Sequence, residues 1–181
     1  MRPGGISNQN LKSNWILNKE NMRACKENGV KLSIDYRLHF DPFHQYLMSV
    51  GEPIMEINGA FAFELKNHSQ WRQDKRLSGG GALMDLGIYG VQAGCYLSDT
   101  QPEFVTAQST AGRSLARQSI EESIQFQMHF NNNVTTSFSS SYNTTANELH
   151  VQTSTDKYEL RKAFSLEGMI LESQEKGFVN I

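Results

Sequence analysis

Ser123-Ile124-Gln125-Phe126-Gln127-Met128-His129-Phe130, Asn131-Asn132-Asn133, then Val134-Thr135-Thr136-Ser137-Phe138-Ser139-Ser140-Ser141-Tyr142 is the stretch that decides the fold. Successive side chains of a strand point to opposite faces, so a strict period of two marks a strand with one dry face and one wet face. Ile124, Phe126, Met128 and Phe130 fall on one side; Ser123, Gln125, Gln127 and His129 fall on the other. The alternation predicts a strand over Ile120–Phe130. Asparagine tolerates positive φ, so the Asn triplet predicts a hairpin turn. Val134, Thr136, Phe138, Ser140 and Tyr142 then share one face of a returning strand.

Toward the C-terminus, Glu148–Thr153 and Lys157–Leu160 read as another hairpin around Asp156, and Ile170–Glu172 and Phe178–Ile181 as shorter strands. Toward the N-terminus, Glu103–Ala111 reads as a strand, with Arg113–Ser119 connecting it to the hairpin. Ile54–Leu65 is a long alternating run, and Lys66–Ser78 a polar loop. Leu32, Ile34, Tyr36, Leu38 and Phe40 also alternate, which predicts a strand over Val30–Phe40 ended by Pro42. Three helices are expected. Ser13–Asn28 places Trp15, Met22 and Cys25 on one face, with Gly29 as its stop. A short helix runs through Tyr46, Leu47 and Val50 to Gly51, and a third follows Gly79-Gly80-Gly81 as far as Leu97. Residues 1–12 read as a flexible lead-in and 13–181 as a single domain. Early helices and a late meander predict the α+β class: one antiparallel sheet with helices packed on one face. The other face, rich in Ser, Thr, Gln and Asn, is solvated or forms a polar subunit interface.

Composition narrows the function. Seventeen Lys and Arg stand against 19 Asp and Glu, for a net charge of −2. That balance offers no basic footprint for nucleic acid. No apolar run is long enough for a membrane span, and no signal-peptide pattern opens the chain, so the cytoplasm is the expected compartment. The N-x-S/T triplets at Asn67, Asn133 and Asn143 then count as chance. Cys25 and Cys95 lie among apolar neighbours and read as reduced, packed thiols. The five His lack metal-ligand spacing, so no metal site is expected.

The glycine run carries the chemistry. Asp85 and Tyr89 are four residues apart in an apolar, Gly-rich helix, and on a regular helix i and i+4 share a face. An acid and a phenol together suit proton transfer to a small polar substrate. The plain alternative has Asp85 capping the helix and Tyr89 packing in the core. Gly87, Gly90 and Gly94 serve either close helix–sheet packing or the approach of a cofactor. The run is not a dinucleotide fingerprint: the last position of G-x-G-x-x-G is Met84, and a polar loop precedes it rather than a strand.

Several blocks in order resemble the glucose–fructose oxidoreductase / inositol dehydrogenase (Gfo/Idh/MocA) family. They are Tyr36-Arg37-Leu38-His39-Phe40-Asp41-Pro42, Gln70-Trp71-Arg72, Gly79 through Tyr89, Glu122-Ser123-Ile124-Gln125-Phe126 and Ser140-Ser141-Tyr142. Tyr rather than His at position 89 is similar to the glucose–fructose oxidoreductase branch, while Leu166 stands where that branch tends to have Tyr. The resemblance covers most of the chain from Ser13 onward and matches the family's C-terminal domain, an open, mostly antiparallel sheet. The N-terminal Rossmann domain, and the lysine motif expected just before the first helix, are absent from this chain.

The resemblance implies an NAD(P)-dependent oxidoreductase acting on a sugar, polyol or related alcohol, of which this chain is the substrate-binding and dimerisation domain. NAD or NADP would belong to the full-length protein, with none bound by this chain alone, which is expected to be inactive. A homodimer through the sheet is implied. Tyr89 would move the substrate proton, and Asp85 would bind substrate or orient Tyr89. Gln92 stands where many relatives carry a substrate-contacting acid. Trp71, Arg72, Tyr36 and Arg37 would lie against the cofactor. The plain readings are a surface loop anchored by Trp71, and an ion pair from Arg37 to Asp35 or to the neighbourhood of Asp41. The rival function is a non-enzymatic carbohydrate-binding or dimer-scaffold module that has lost its nucleotide domain.

Overall fold

The computed structural model describes residues 11–33, 36–66, 70–111 and 120–181. The elements in chain order are α1 (Leu11–Glu27), a 3-10 turn (Arg37–Phe40), α2 (Pro42–Ser49), β1 (Ile54–Ala62), a 3-10 turn (Trp71–Gln73), α3 (Lys75–Ser78), a π-turn (Leu83–Gly87), α4 (Ile88–Ser98), β2 (Pro102–Ala111), β3 (Glu121–Phe130), β4 (Thr135–Ser141), β5 (Ala146–Thr153), β6 (Lys157–Arg161), β7 (Ile170–Ser173) and β8 (Gly177–Val179). The fold is α+β, as the alternation predicts. Among the described residues one sheet of eight strands has the order β2-β3-β4-β1-β5-β6-β7-β8. Every neighbouring pair is antiparallel except β1 and β4, which run parallel. β1 therefore lies between two strands that are consecutive in sequence.

The deciding hairpin forms in the expected register. Phe126 faces Phe138 across β3 and β4, with ring centroids 5.7 Å apart. Asn133 takes the positive φ of the turn, at 65°. The dry face joins Phe126, Met128, Phe138, Leu149, Leu160 and Leu171 to Ala93 and Leu97 of α4 in one core. The helix lies very close to the sheet. A Cβ at Gly90 would come within 2.8 Å of the Phe138 ring, and one at Gly94 within 2.5 Å of the Met128 methyl. Sheet side chains fill the space beside these glycines, so packing accounts for them.

Val30–Phe40 is not a strand. Residues 30–33 are irregular and Arg37–Phe40 is a 3-10 turn; Ile34, with Asp35, lies outside the described residues. Of the alternating set only Leu38 is buried, whereas Leu32 is 50% exposed and Phe40 77% exposed. An alternating run needs a partner edge to become a strand, and Asp41 starts a helix here instead. Its carboxylate accepts from the amides of Phe43 and His44 at 3.1 and 3.0 Å, an N-cap with Pro42 in the first turn. The predicted polar loop at Lys66–Ser78 contains two short turns, and its residues 67–69 lie outside the described set, as does the connection at Arg113–Ser119. The first helix starts at Leu11, inside the predicted lead-in; residues 1–10 and the Trp15 side chain are not among those described. Cys25 and Cys95 are free thiols, and burial pushes the Cys95 thiol up.

Candidate active site

The glycine turn is built against the start of β3. A Cβ at Gly81 would stand 1.8 Å from the carbonyl oxygen of Glu121, so only glycine fits. The Glu121 carboxylate accepts from the amides of Gly81 and Leu83 at 2.9 and 3.0 Å. These are helix-entry N–H groups of the kind that would otherwise bind an anion. An internal carboxylate holds them, so the turn is closed to phosphate.

Asp85 follows within the π-turn. Its Oδ2 accepts from Arg72 Nε at 2.8 Å and from the Tyr142 hydroxyl at 3.2 Å. Arg72 is stacked over the Trp71 ring at 4.6 Å and lies 5.7 Å from the Phe63 ring. Burial, and then the Asp85 charge, push the Tyr142 phenol well above its ordinary range, so it remains a donor. Asp85 does not cap the helix entry; Glu121 does.

Tyr89 sits beyond the π-turn in a different environment. Its ring meets Phe61 edge-on at 5.4 Å, with Phe164 at 6.1 Å and the Arg37 guanidinium carbon 5.7 Å from its centroid. Among the described residues its hydroxyl makes no hydrogen bond, to Asp85 or to any other group. The two side chains have separate partners: Asp85, within the π-turn, has Arg72 and Tyr142, while Tyr89, in α4, has Phe61, Phe164 and Arg37. Arg37 does not pair with Asp41, which caps α2 and lies 2.7 Å from His44 Nδ1. It donates instead to the carbonyls of Phe164 and Ser165.

A groove of about 460 Å³ runs between the Arg37–Phe40 turn and α4, lined by Tyr36, His39, Ile88, Gln92, Cys95 and Tyr96 among others. His39 stacks on Tyr96 at 4.3 Å. The Gln92 amide nitrogen is buried and makes no hydrogen bond among the described residues. The groove walls are mixed, with Tyr36, Ile88, Val91 and Tyr96 beside Asp99, Thr100 and Gln101. No phosphate cradle accompanies them among the described residues, since the glycine turn is filled by Glu121. The described residues contain no group of three or more His, Cys, Asp and Glu that could hold a metal, and no helix long and apolar enough to cross a membrane.

With this geometry, residues 49–161 match the GFO/IDH/MocA C-terminal domain. The chain belongs to that family. Over 91 residues it is 34% identical to the D-xylose 1-dehydrogenase [NADP(+)] of Haloarcula marismortui, covering 45% of this chain and 25% of that protein. The aldose–aldose oxidoreductase of Caulobacter crescentus, solved with glycerol, superposes with a TM-score of 0.78 at 31% identity, covering 86% of this chain and 48% of that one. A 3-ketoreductase from Actinomadura kijaniata, solved with NADP and TDP-benzene, shares the fold with a TM-score of 0.71 at 20% identity, over 87% of this chain and 50% of that one. The chain thus spans about half the length of these solved relatives and a quarter of the xylose dehydrogenase.

Sequence reasoning missed three participants. Glu121 reads as one more strand residue, Tyr142 as a core tyrosine, and Phe164 only as a neighbour of Leu166. For Tyr142 the signal was its place at the end of the dry face of β4, where a phenol hydroxyl needs a buried partner.

Proposed function

We propose that this chain is the substrate-binding half of an NAD(P)-dependent oxidoreductase acting on a sugar, polyol or related alcohol, with Tyr89 as its proton-transfer residue. The observation that carries the reading is a phenol ring boxed on three sides, whose hydroxyl makes no hydrogen bond among the described residues. The family and the sugar-oxidising relatives support it. A bound nicotinamide supplies or accepts the hydride. Tyr89 takes the proton from the substrate hydroxyl through Oη, or returns it in the reverse direction. Asp85 is anchored through Oδ2 by Arg72 and Tyr142, which leaves Oδ1 to accept from a second substrate hydroxyl. Gln92 donates to a substrate or carboxamide oxygen, and Tyr36 and the Trp71–Arg72 pair border the cofactor. A second copy docks on the polar sheet face around Asn58, Gln125, Gln127, Ser137, Ser139 and His150, where the open strands leave a groove. The chain by itself is inactive, because the diphosphate and adenosine must be held elsewhere.

The test is Tyr89→Phe in the complete enzyme. Turnover should fall by roughly 10²–10⁴-fold, the range of a lost general acid–base, with cofactor affinity changed by less than about twofold, since the hydroxyl takes no part in uniform binding. Unchanged turnover would remove Tyr89 from the mechanism. Titrating NAD(H) into the present chain should give no measurable binding.

A further inference from the structure

The clamp around Tyr89 is assembled from parts of the chain far apart in sequence. Arg37 Nη2 donates to the Phe164 carbonyl at 2.6 Å, and Nη1 donates to the Ser165 carbonyl. Both acceptors are neutral carbonyls, and the guanidinium they hold lies 5.7 Å from the Tyr89 ring centroid. The loop that accepts these bonds is itself fixed. Lys162 holds a left-handed conformation at φ 54°, and the Ser165 amide donates to the Lys162 carbonyl at 2.9 Å. Asn147 of β5 grips the loop twice: its Oδ1 accepts from the Phe164 amide at 2.8 Å and its Nδ2 donates to Ser165 Oγ at 2.9 Å. Asn147 is also the register partner of Phe61, the ring that meets Tyr89 edge-on. One asparagine therefore references both aromatic walls of the clamp, and Arg37 closes it.

We propose that Arg37 is a positioning residue for Tyr89 rather than a ligand of the cofactor, and that Asn147 sets it through the Lys162–Ser165 loop. This rests on the role given to Tyr89 above. Two kinds of measurement test it. In this chain carrying ¹³C-labelled tyrosine, Arg37→Met should move the Tyr89 ring signals and leave those of Tyr142 and Tyr158 in place. Asn147→Ala should move the same Tyr89 signals, and Arg37→Lys should shift them less than Arg37→Met. In the complete enzyme, Arg37→Met should lower kcat by up to roughly 10²-fold, the scale of a reacting group misplaced by about 1 Å, and leave the cofactor Kd within about twofold, because the side chain would not touch the cofactor. In a Tyr89→Phe background the same substitution should cost little more, since both changes act through one group. Unmoved Tyr89 signals would overturn the proposal. So would a weakened cofactor Kd with kcat intact, or a kcat loss that persists in full without the Tyr89 hydroxyl. If Tyr89→Phe keeps full turnover, the assignment of function fails, while the tyrosine spectra still judge the clamp.

Discussion

Substituting Gly81 by alanine is the sharpest probe of how the site is held. The added methyl would lie 1.8 Å from the Glu121 carbonyl oxygen, 2.8 Å from its carbonyl carbon and 2.9 Å from its amide nitrogen. A carbon and an oxygen need about 3.3 Å, so one backbone segment must retreat by roughly 1.5 Å. No rotamer change can relieve the clash, because all three of these atoms are main chain. The retreat strains or breaks the two bonds from Gly81 and Leu83 to the Glu121 carboxylate and disturbs the start of β3, where Tyr142 N donates to the Glu122 carbonyl at 3.0 Å. Two or three hydrogen bonds at about 1 kcal/mol each, plus overpacking of about 1–3 kcal/mol, give roughly 3–6 kcal/mol. For a domain of this size that lowers Tm by about 6–24 °C. Urea and thermal denaturation measure the loss, with Gly80→Ala as the control. A Cβ there meets side chains only, the flexible Met84 with Cγ 2.5 Å away and Glu121 Oε1 at an ordinary 3.8 Å, so the control should lose less than half as much. A Gly81→Ala protein within about 1 kcal/mol of the parent would refute the close approach of the turn to β3.

Two further outcomes concern titration. Tyr142 is raised in the folded chain by burial and by Asp85, so its contribution is complete below the unfolded tyrosine value of about 10 and is lost as pH rises above it. In chemical denaturation Tyr142→Phe should cost about 1–2 kcal/mol at neutral pH for the lost hydrogen bond to a charged group, with a gap to the parent that narrows above pH 10. Burial alone would raise the Asp41 carboxyl, but the bonds to the His44 ring and to the His44 and Phe43 amides outweigh it, and the net shift is downward. Its contribution is therefore present above the unfolded aspartate value of about 3.9 and disappears as pH falls through the lower folded value. Asp41→Asn keeps a good cap and should flatten that acid limb; an unchanged limb would show that Asp41 does not govern it.

The sheet was legible where alternation coincided with a partner strand. Ile124, Phe126, Met128 and Phe130 are all buried in β3, and Val134 through Tyr142 on the returning strand are buried at every second position. The same pattern misled at Leu32–Phe40, since apolar alternation carries no information about whether an edge is available. There a local feature, the Asp41 cap, decided the outcome. Asp85 and Tyr89 were visible as unusual residues, but their partners were not, because Arg72, Tyr142, Phe61 and Phe164 come from other parts of the chain. Contacts such as Tyr142 to Asp85 and Arg37 to Phe164 span 57 and 127 residues and leave no local trace.

β1 has a consequence for how the molecule comes into being. Without it the order β2-β3-β4 and the order β5-β6-β7-β8 are two separate ribbons, each zipped from neighbours in sequence. β1 is the splice that makes them one surface, and the Tyr89 box takes one wall, Phe61, from the splice itself and another, Phe164, from beyond β6. The two ribbons can nucleate early through short-range pairing, but the box cannot close until the splice is seated, and such long-range closure is the slow part of folding. The Tyr89 box is thus a late product of assembly, and a synthetic 54–62 strand offered to a chain lacking it becomes a way to switch that last step on from outside.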